Sequence, residues 1–152
     1  MKKNEEISSP FFFCRQTVGY FPLILLVEDD VDTRVMLRYL LDMWNYCVIE
    51  AEDGEEGVRL AESERPDLVL MDVKLPGIDG FVATRQIRQL ENNRDVPIVF
   101  LSGCAEARYR AEGFAAGGND YLVKPIDFNQ LETALDKYIG KAAMLNAISK
   151  SV

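Results

Sequence analysis

Four short apolar runs in this 152-residue chain are each followed at once by side chains that can do chemistry. Glu28-Asp29-Asp30 follows 23–27, Asp72 follows 67–71, Ser102-Gly103 follows 97–101 and Lys124-Pro125 follows 120–123. Taken singly, an acidic triplet reads as the solvated start of a helix, and a lone aspartate as turn chemistry. Taken together they read differently, because two carboxylates a few ångströms apart repel by about 4 kcal/mol at an effective dielectric near 20. A cluster of three acids therefore calls for a cation. Magnesium prefers oxygen ligands and keeps several waters, which suits one or two carboxylates plus a phosphate oxygen. Glu28, Asp29 and Asp72 would carry −3 against +2 from the metal and +1 from Lys124. That is a neutral site able to receive a phosphoryl dianion, with the Ser102 hydroxyl as a donor to it.

The elements that must position these groups are legible in the patterning. From residue 23 onward, short apolar runs alternate with helix-period segments, the signature of successive βα units around a parallel sheet. Strands are expected at 23–27, 46–51, 67–71, 97–101 and 120–123, and helices at about 31–44, 54–63, 79–91, 106–116 and 127–143. Val31, Val35, Leu37, Leu41 and Trp44 supply the apolar stripe of the first helix. Phe128, Leu131, Leu135, Tyr138 and Ile139 supply that of the last. Gly54, Pro66, Pro76-Gly77, Pro97 and Gly117-Gly118 punctuate the boundaries. In an open, doubly wound α/β sheet of this kind, active groups gather outside the carboxyl ends of the strands. Residues 1–20 lie outside the pattern and read as a partly ordered N-terminal arm that the chemistry does not need. Residues 21–140 form one domain, and 141–152 either extend the last helix through Met144, Leu145 and Ile148 or form a tail.

Composition narrows the function. A hydrophobic content of 48% and a charged content of 28% fit a globular protein. No apolar run approaches the about 18 residues of a spanning helix. The run at 11–14 is too short for a signal-peptide core. A net charge of −8 disfavours direct nucleic-acid binding, which needs clustered Lys and Arg. Cys14, Cys47 and Cys104 are odd in number, widely spaced and without a C-x-x-C pattern, so neither a disulfide framework nor a zinc site is expected, and a reducing cytoplasm fits. The chain has no histidine, so any phosphohistidine chemistry belongs to a partner.

The same residues carry a resemblance. LILLVEDD at 23–30, LVLMDVKLPGIDG at 68–80, PIVFLSG at 97–103 and YLVKP at 121–125 resemble, in order, the four signatures of the receiver domain of two-component response regulators. The likeness covers about 23–139 and is closest in kind to single-domain chemotaxis regulators. It implies a flavodoxin-like (βα)5 three-layer sandwich with a five-stranded parallel sheet in the order 2-1-3-4-5. It implies that Asp72 is the phosphoacceptor. Glu28 and Asp29 would hold Mg2+ together with Asp72 and the backbone carbonyl of Lys74. Ser102 would bond the phosphoryl group, Lys124 would pair with it, Ser102 and Tyr121 would form a switch, and the bond before Pro125 would be cis. The implied donor is a phosphohistidine on a sensor histidine kinase or a histidine phosphotransfer protein. The implied output is a downstream protein contacting the face of helix 4, strand 5 and helix 5, where Tyr109, Phe114, Phe128 and Tyr138 offer apolar area. Such a protein is a phosphoacceptor switch that catalyses only its own phosphorylation and dephosphorylation, and it touches neither nucleic acid nor membrane. Lys74 and Cys104 fall where side chains tune phosphoryl lifetime, and Gly103 replaces a commoner alanine.

Three other readings compete. A receiver-like interaction module without phosphotransfer would not need the full acid and lysine set. An aspartate-nucleophile phosphatase of another α/β fold would resemble D-x-D, whereas Asp72-Val73-Lys74 lacks the second acid. A nucleotide-binding doubly wound protein would need a glycine-rich phosphate loop where Glu28-Asp29-Asp30 stands.

Overall fold

The structure, a computed structural model, describes residues 21–140. Strands β1 (Leu23–Val27), β2 (Cys47–Ala51), β3 (Leu68–Asp72), β4 (Ile98–Ser102) and β5 (Asp120–Val123) alternate with helices α1 (Val31–Met43), α2 (Gly54–Glu64), α3 (Gly80–Gln89), α4 (Ala107–Ala116) and α5 (Phe128–Ile139). A 3-10 turn, Glu91–Asn93, follows α3. All strand pairs are parallel and the order is β2-β1-β3-β4-β5, the doubly wound arrangement expected. Every residue of β1, β3 and β4 is buried, because helices cover both faces of the sheet. Leu25, Val27, Met71 and Phe100 point to one side, against Ala61 of α2 and Phe81 and Ile87 of α3. Ile24, Leu26, Leu70 and Leu101 point to the other, against Leu37 and Leu41 of α1 and Leu131 and Leu135 of α5. Truncating a fully buried leucine of either layer to alanine costs about 2–5 kcal/mol.

Aspartates set the starts of four helices. Asp30, Asp53, Asp79 and Asp127 each accept hydrogen bonds from first-turn N–H groups of α1, α2, α3 and α5. Each such cap is worth about 1 kcal/mol. At α4 the corresponding residue, Glu106, makes no side-chain cap.

Several expectations are corrected in detail. β3 and β4 run one residue further than the patterning implies, so Asp72 and Ser102 are the last residues of their strands rather than the first beyond them. The ladder continues past both, with Val73 N–H donating to the Leu101 carbonyl at 3.1 Å and Lys124 N–H to the Ser102 carbonyl at 2.7 Å. The inward stripe of α1 is Leu37, Leu41 and half-buried Trp44, whereas Val31 and Val35 are 59% and 60% exposed. Those two valines stand four residues apart on the opposite side of the helix. Phe128 is likewise exposed at the start of α5. α5 ends at Ile139, where Gly140 turns extended (φ −65°, ψ 166°); the expected continuation to 143 and the segment 141–152 lie outside the described residues, as does the arm at 1–20. Cys47 is disulfide-bonded and Cys104 is free, which corrects the expectation of unbridged cysteines. No described helix is long and apolar enough to cross a membrane.

Candidate functional site

The parallel sheet delivers its chemistry to one edge. β1 ends at Val27 and places Glu28 fully buried and Asp29 exposed; β3 ends on Asp72, which is 4% exposed. One carboxylate oxygen from each of Glu28, Asp29 and Asp72 lies within 4.8 Å of the others. Lys124, reaching in from the end of β5, puts Nζ 2.9 Å from Glu28 Oε2 and 3.3 Å from Asp72 Oδ2. The Lys124–Pro125 bond is cis, as expected. So the structure brings together all four of the sequence-predicted charged residues.

Local structure explains why Asp72 is held so firmly. The chain after β3 must turn back to start α3 against the strand end, and Gly80 N–H donates to the Val73 carbonyl at 2.9 Å. A Cβ on Gly80 would collide with the Asp72 carbonyl, so glycine is required for that approach. Glu28 is fixed through its main chain, with N–H donating to the Ala51 carbonyl at 3.1 Å and C=O accepting from Arg34 Nη1 at 2.8 Å.

Electrostatics follow from burial. The Asp72 carboxyl is pushed up from its ordinary value to about 7, first by burial and then by the Glu28 charge, with Lys124 opposing. Burial pulls the Lys124 ammonium down, but its hydrogen bond to Glu28 and the Asp72 charge outweigh that, and the net shift is upward. One lysine thus faces three acids, two of them buried, leaving a deficit of positive charge. An all-oxygen donor set with that deficit suits a hard divalent ion such as magnesium.

Ser102 ends β4 and Tyr121 stands on the neighbouring β5, level with Phe100, and the two are joined by a residue that sequence reasoning did not single out for this part. Cys104 N–H donates to Ser102 Oγ at 3.1 Å, and its carbonyl accepts from the Tyr121 hydroxyl at 2.7 Å. Both side chains are buried. The Tyr121 ring already sits inside, 6.2 Å from Phe100, with the Arg110 guanidinium 5.3 Å above it. Beside Ser102 a cleft of about 290 Å³ opens between the β3–α3 loop and α4, lined by Lys74, Phe81, Cys104 and Tyr109 among others. Lys74 is exposed on that loop. Around Gly103 there is open space, since an added Cβ meets nothing within 4 Å.

Arg34 was missed by sequence reasoning. It lies at helical spacing with Leu37 and Leu41, on the buried side of α1, and a charge in that stripe has to find partners. It finds the Glu28 carbonyl and Glu52, the latter at 3.1 Å from Nη2.

Comparison with known proteins agrees with this geometry. Residues 24–136 match the family model of the response regulator receiver domain. Protein PilH of Pseudomonas aeruginosa is 36% identical over 104 residues, covering 68% of this chain and 86% of PilH. The DNA-binding dual master transcriptional regulator RpaA of Synechocystis is 34% identical over 72% of this chain but only 46% of its own length. The chain spans about half the length of the first curated relatives it matches. Among solved structures, the receiver domain of the sensor histidine kinase PA1611 of Pseudomonas aeruginosa, with magnesium coordinated in its active site cleft, superposes with a TM-score of 0.74 at 41% identity. It covers 80% of this chain and 99% of that one. The chemotaxis protein CheY4 of Vibrio cholerae gives a TM-score of 0.75 at 28% identity, over 78% and 99% of the two chains.

Proposed function

This chain belongs to the response regulator receiver family, and we propose that it works as a phosphoacceptor switch in which Asp72 takes a phosphoryl group from a phosphohistidine donor. The observation that carries the proposal is the Asp72 carboxylate at the end of β3, 3.3 Å from the Lys124 ammonium and grouped with Glu28 and Asp29. An Asp72 oxygen attacks phosphorus, the P–N bond to the donor imidazole breaks, and the imidazole leaves with the bonding pair and takes a proton from solvent. The product is an acyl phosphate on Asp72. Lys124 offers positive charge to the equatorial phosphoryl oxygens, and Ser102 Oγ turns to donate to one of them. Glu28, Asp29, Asp72 and the Lys74 carbonyl would hold magnesium, whose positive charge, when bound, offsets the acids and the incoming phosphoryl oxygens. The chain acts on no external substrate in this reading, and its own dephosphorylation at the same site is hydrolysis, in which water attacks phosphorus, the bond to the Asp72 oxygen breaks and inorganic phosphate leaves.

Output follows from the Cys104 bridge. When Ser102 Oγ turns to the phosphoryl group it releases the Cys104 N–H, and the carbonyl of the same residue holds the Tyr121 hydroxyl. The change reaches the face of α4, β5 and α5, where Phe114 and Phe128 are 50% and 44% exposed and Tyr109 and Tyr138 half-buried. That face is the proposed contact for a downstream protein. The donor would be a sensor histidine kinase or a histidine phosphotransfer protein, met in the cytoplasm. DNA binding, named for RpaA, stays with that longer protein. The test is intact-mass measurement after incubation with magnesium and acetyl phosphate. One phosphoryl group is expected on the wild type and none on Asp72→Asn. Equal labelling of both would remove Asp72 from the role.

A further inference from the structure

At the edge of the sheet opposite Asp72, one side chain ties α3 to the end of α4 and to the entries of β4 and β5. Arg88, in the last turn of α3, is half-buried, and every nitrogen of its guanidinium donates to an oxygen. Nε and Nη2 hold the Gly117 carbonyl at 3.0 and 2.7 Å. Nη1 holds the Val96 carbonyl at 2.6 Å and the Asn93 carbonyl at 3.1 Å, and Nη2 also reaches Asn119 Oδ1 at 2.9 Å. Asn119 carries the tie further: its Oδ1 accepts from the Ile98 N–H at 2.9 Å, and its carbonyl from the Tyr138 hydroxyl of α5 at 2.9 Å. Hydrogen bonds from a charged donor are roughly twice as strong as neutral ones, and a planar fork holds several acceptors in one fixed geometry.

The two ends of α4 are therefore held very differently. Gly117, at φ 112°, closes the helix, and the Gly118 N–H donates back to the Gly113 carbonyl at 3.0 Å. A Cβ on Gly118 would collide with the Phe100 ring of β4, so this turn lies directly on the sheet. At the other end Glu106 makes no side-chain cap and no residue from 107 to 112 is buried; the buried positions, Gly113 and Ala116, fall in the second half. α3 connects this clamp to the acid cluster, since it starts at Gly80 against the Asp72 carbonyl and ends at Arg88.

We propose, on the phosphoacceptor reading above, that Arg88 is a positioning residue of the switch: it pins the carboxyl end of α4, so that phosphorylation tilts the helix about Gly117 and moves its start. At 1.5 Å per residue α4 is roughly 15 Å long, and displacement about a fixed end grows with distance from it. The Cys104 N–H that Ser102 releases lies three residues before the free end, where the lever is longest. The output face then changes most over 107–112, which includes Tyr109 and the Arg110 guanidinium above the Tyr121 ring, and least at Phe114, close to the pin.

Amide NMR of the full chain in magnesium, with and without beryllium fluoride, tests this alongside acetyl phosphate labelling. Wild-type shifts should be large over 107–112 and absent at Gly117, Gly118 and Asn119. Arg88→Lys keeps the charge and gives up the fork. Shifts should then appear at Gly117 and Gly118 while those over 107–112 shrink, a redistribution that mere loss of stability does not produce. Asn119→Ala, which removes one acceptor of the guanidinium, should do the same more weakly, and the wild-type map reads the pivot whether or not either variant folds. Shifts spread evenly from 107 to 118 in the wild type, or an unchanged pattern in a folded Arg88→Lys, with Asp72 labelled in each, would overturn the pin and leave the phosphoacceptor reading standing. A wild type that takes no label would overturn both.

Discussion

The acid end of the sheet and its Ser102 end are built differently. Around Glu28 and Asp72 every support is doubled. Glu28 is held by β2 and by Arg34, Asp72 by the ladder and by the close approach of Gly80, and both adjoining helices begin on aspartate caps. Around Ser102 the ladder holds the main chain, with Lys124 N–H donating to its carbonyl, but the side-chain supports are single. One hydrogen bond joins Ser102 to Cys104, another joins Cys104 to Tyr121, and α4 starts without a side-chain cap and buries only Gly113 and Ala116. The difference teaches where rigidity is useful. A nucleophile and its counter-charges gain from fixed positions, whereas a read-out gains from an element whose two arrangements are close in free energy.

The largest expected effect breaks the rigid half through its charge balance. The folded value of Asp72 is about 7 against an ordinary 3.8, so the folded state binds a proton that the unfolded chain has already lost. Stability of the metal-free protein therefore falls as pH rises from about 4 to about 7, by up to about 4 kcal/mol shared with Glu28 and Lys124. Saturating magnesium should flatten that slope. Thermal unfolding across the window, in chelator and in magnesium, reads it directly, and stability rising with pH in chelator would reverse the sign assigned to Asp72.

Removing the lysine comes next. Lys124→Met should lower the rate of acetyl phosphate labelling by about 10²–10³-fold, the usual scale for losing one preorganised charge at a reacting group. Labelling at the wild-type rate would show that the ammonium is a bystander. Arg34→Met touches neither reacting group but leaves the buried Glu28 carbonyl without its cationic partner. A loss of about 1.5–3 kcal/mol is expected in denaturant unfolding. Its labelling should recover at high magnesium, an outcome that separates a positioning residue from one that meets the phosphoryl group.

The smallest effect belongs to the other half. Tyr121→Phe removes only the bond to the Cys104 carbonyl, worth about 1 kcal/mol. Labelling should change by less than the about fivefold that 1 kcal/mol corresponds to. Amide NMR shifts induced by beryllium fluoride along α4 should nevertheless shrink. If they are unchanged, the Cys104 bridge does not carry the signal.

How much of this was legible in the sequence depends on what kind of fact was asked for. Strand positions, their parallel pairing and the convergence of Glu28, Asp29, Asp72 and Lys124 follow from apolar runs ending in polar residues, a local pattern. The true face of α1 was misread because Val31 and Val35 look as apolar as Leu37 and Leu41, and only packing distinguishes a covered stripe from an exposed one. Arg34 was missed although its spacing places it among the buried leucines. The Cys104 link was invisible in principle, since it runs through backbone groups that every residue possesses. The end of α5 at Ile139 comes at Gly140, a residue whose helix-breaking use is a matter of conformation and not of type alone.

The central claim is that Asp72 itself becomes an acyl phosphate. Borohydride reduces an aspartyl phosphate to homoserine, so labelled protein can be trapped and the modified position read by peptide mass spectrometry. Homoserine at position 72, dependent on both magnesium and the phosphoryl donor, is the result predicted. Homoserine at another aspartate, or phosphoryl label that survives without any reducible acyl linkage, would contradict it.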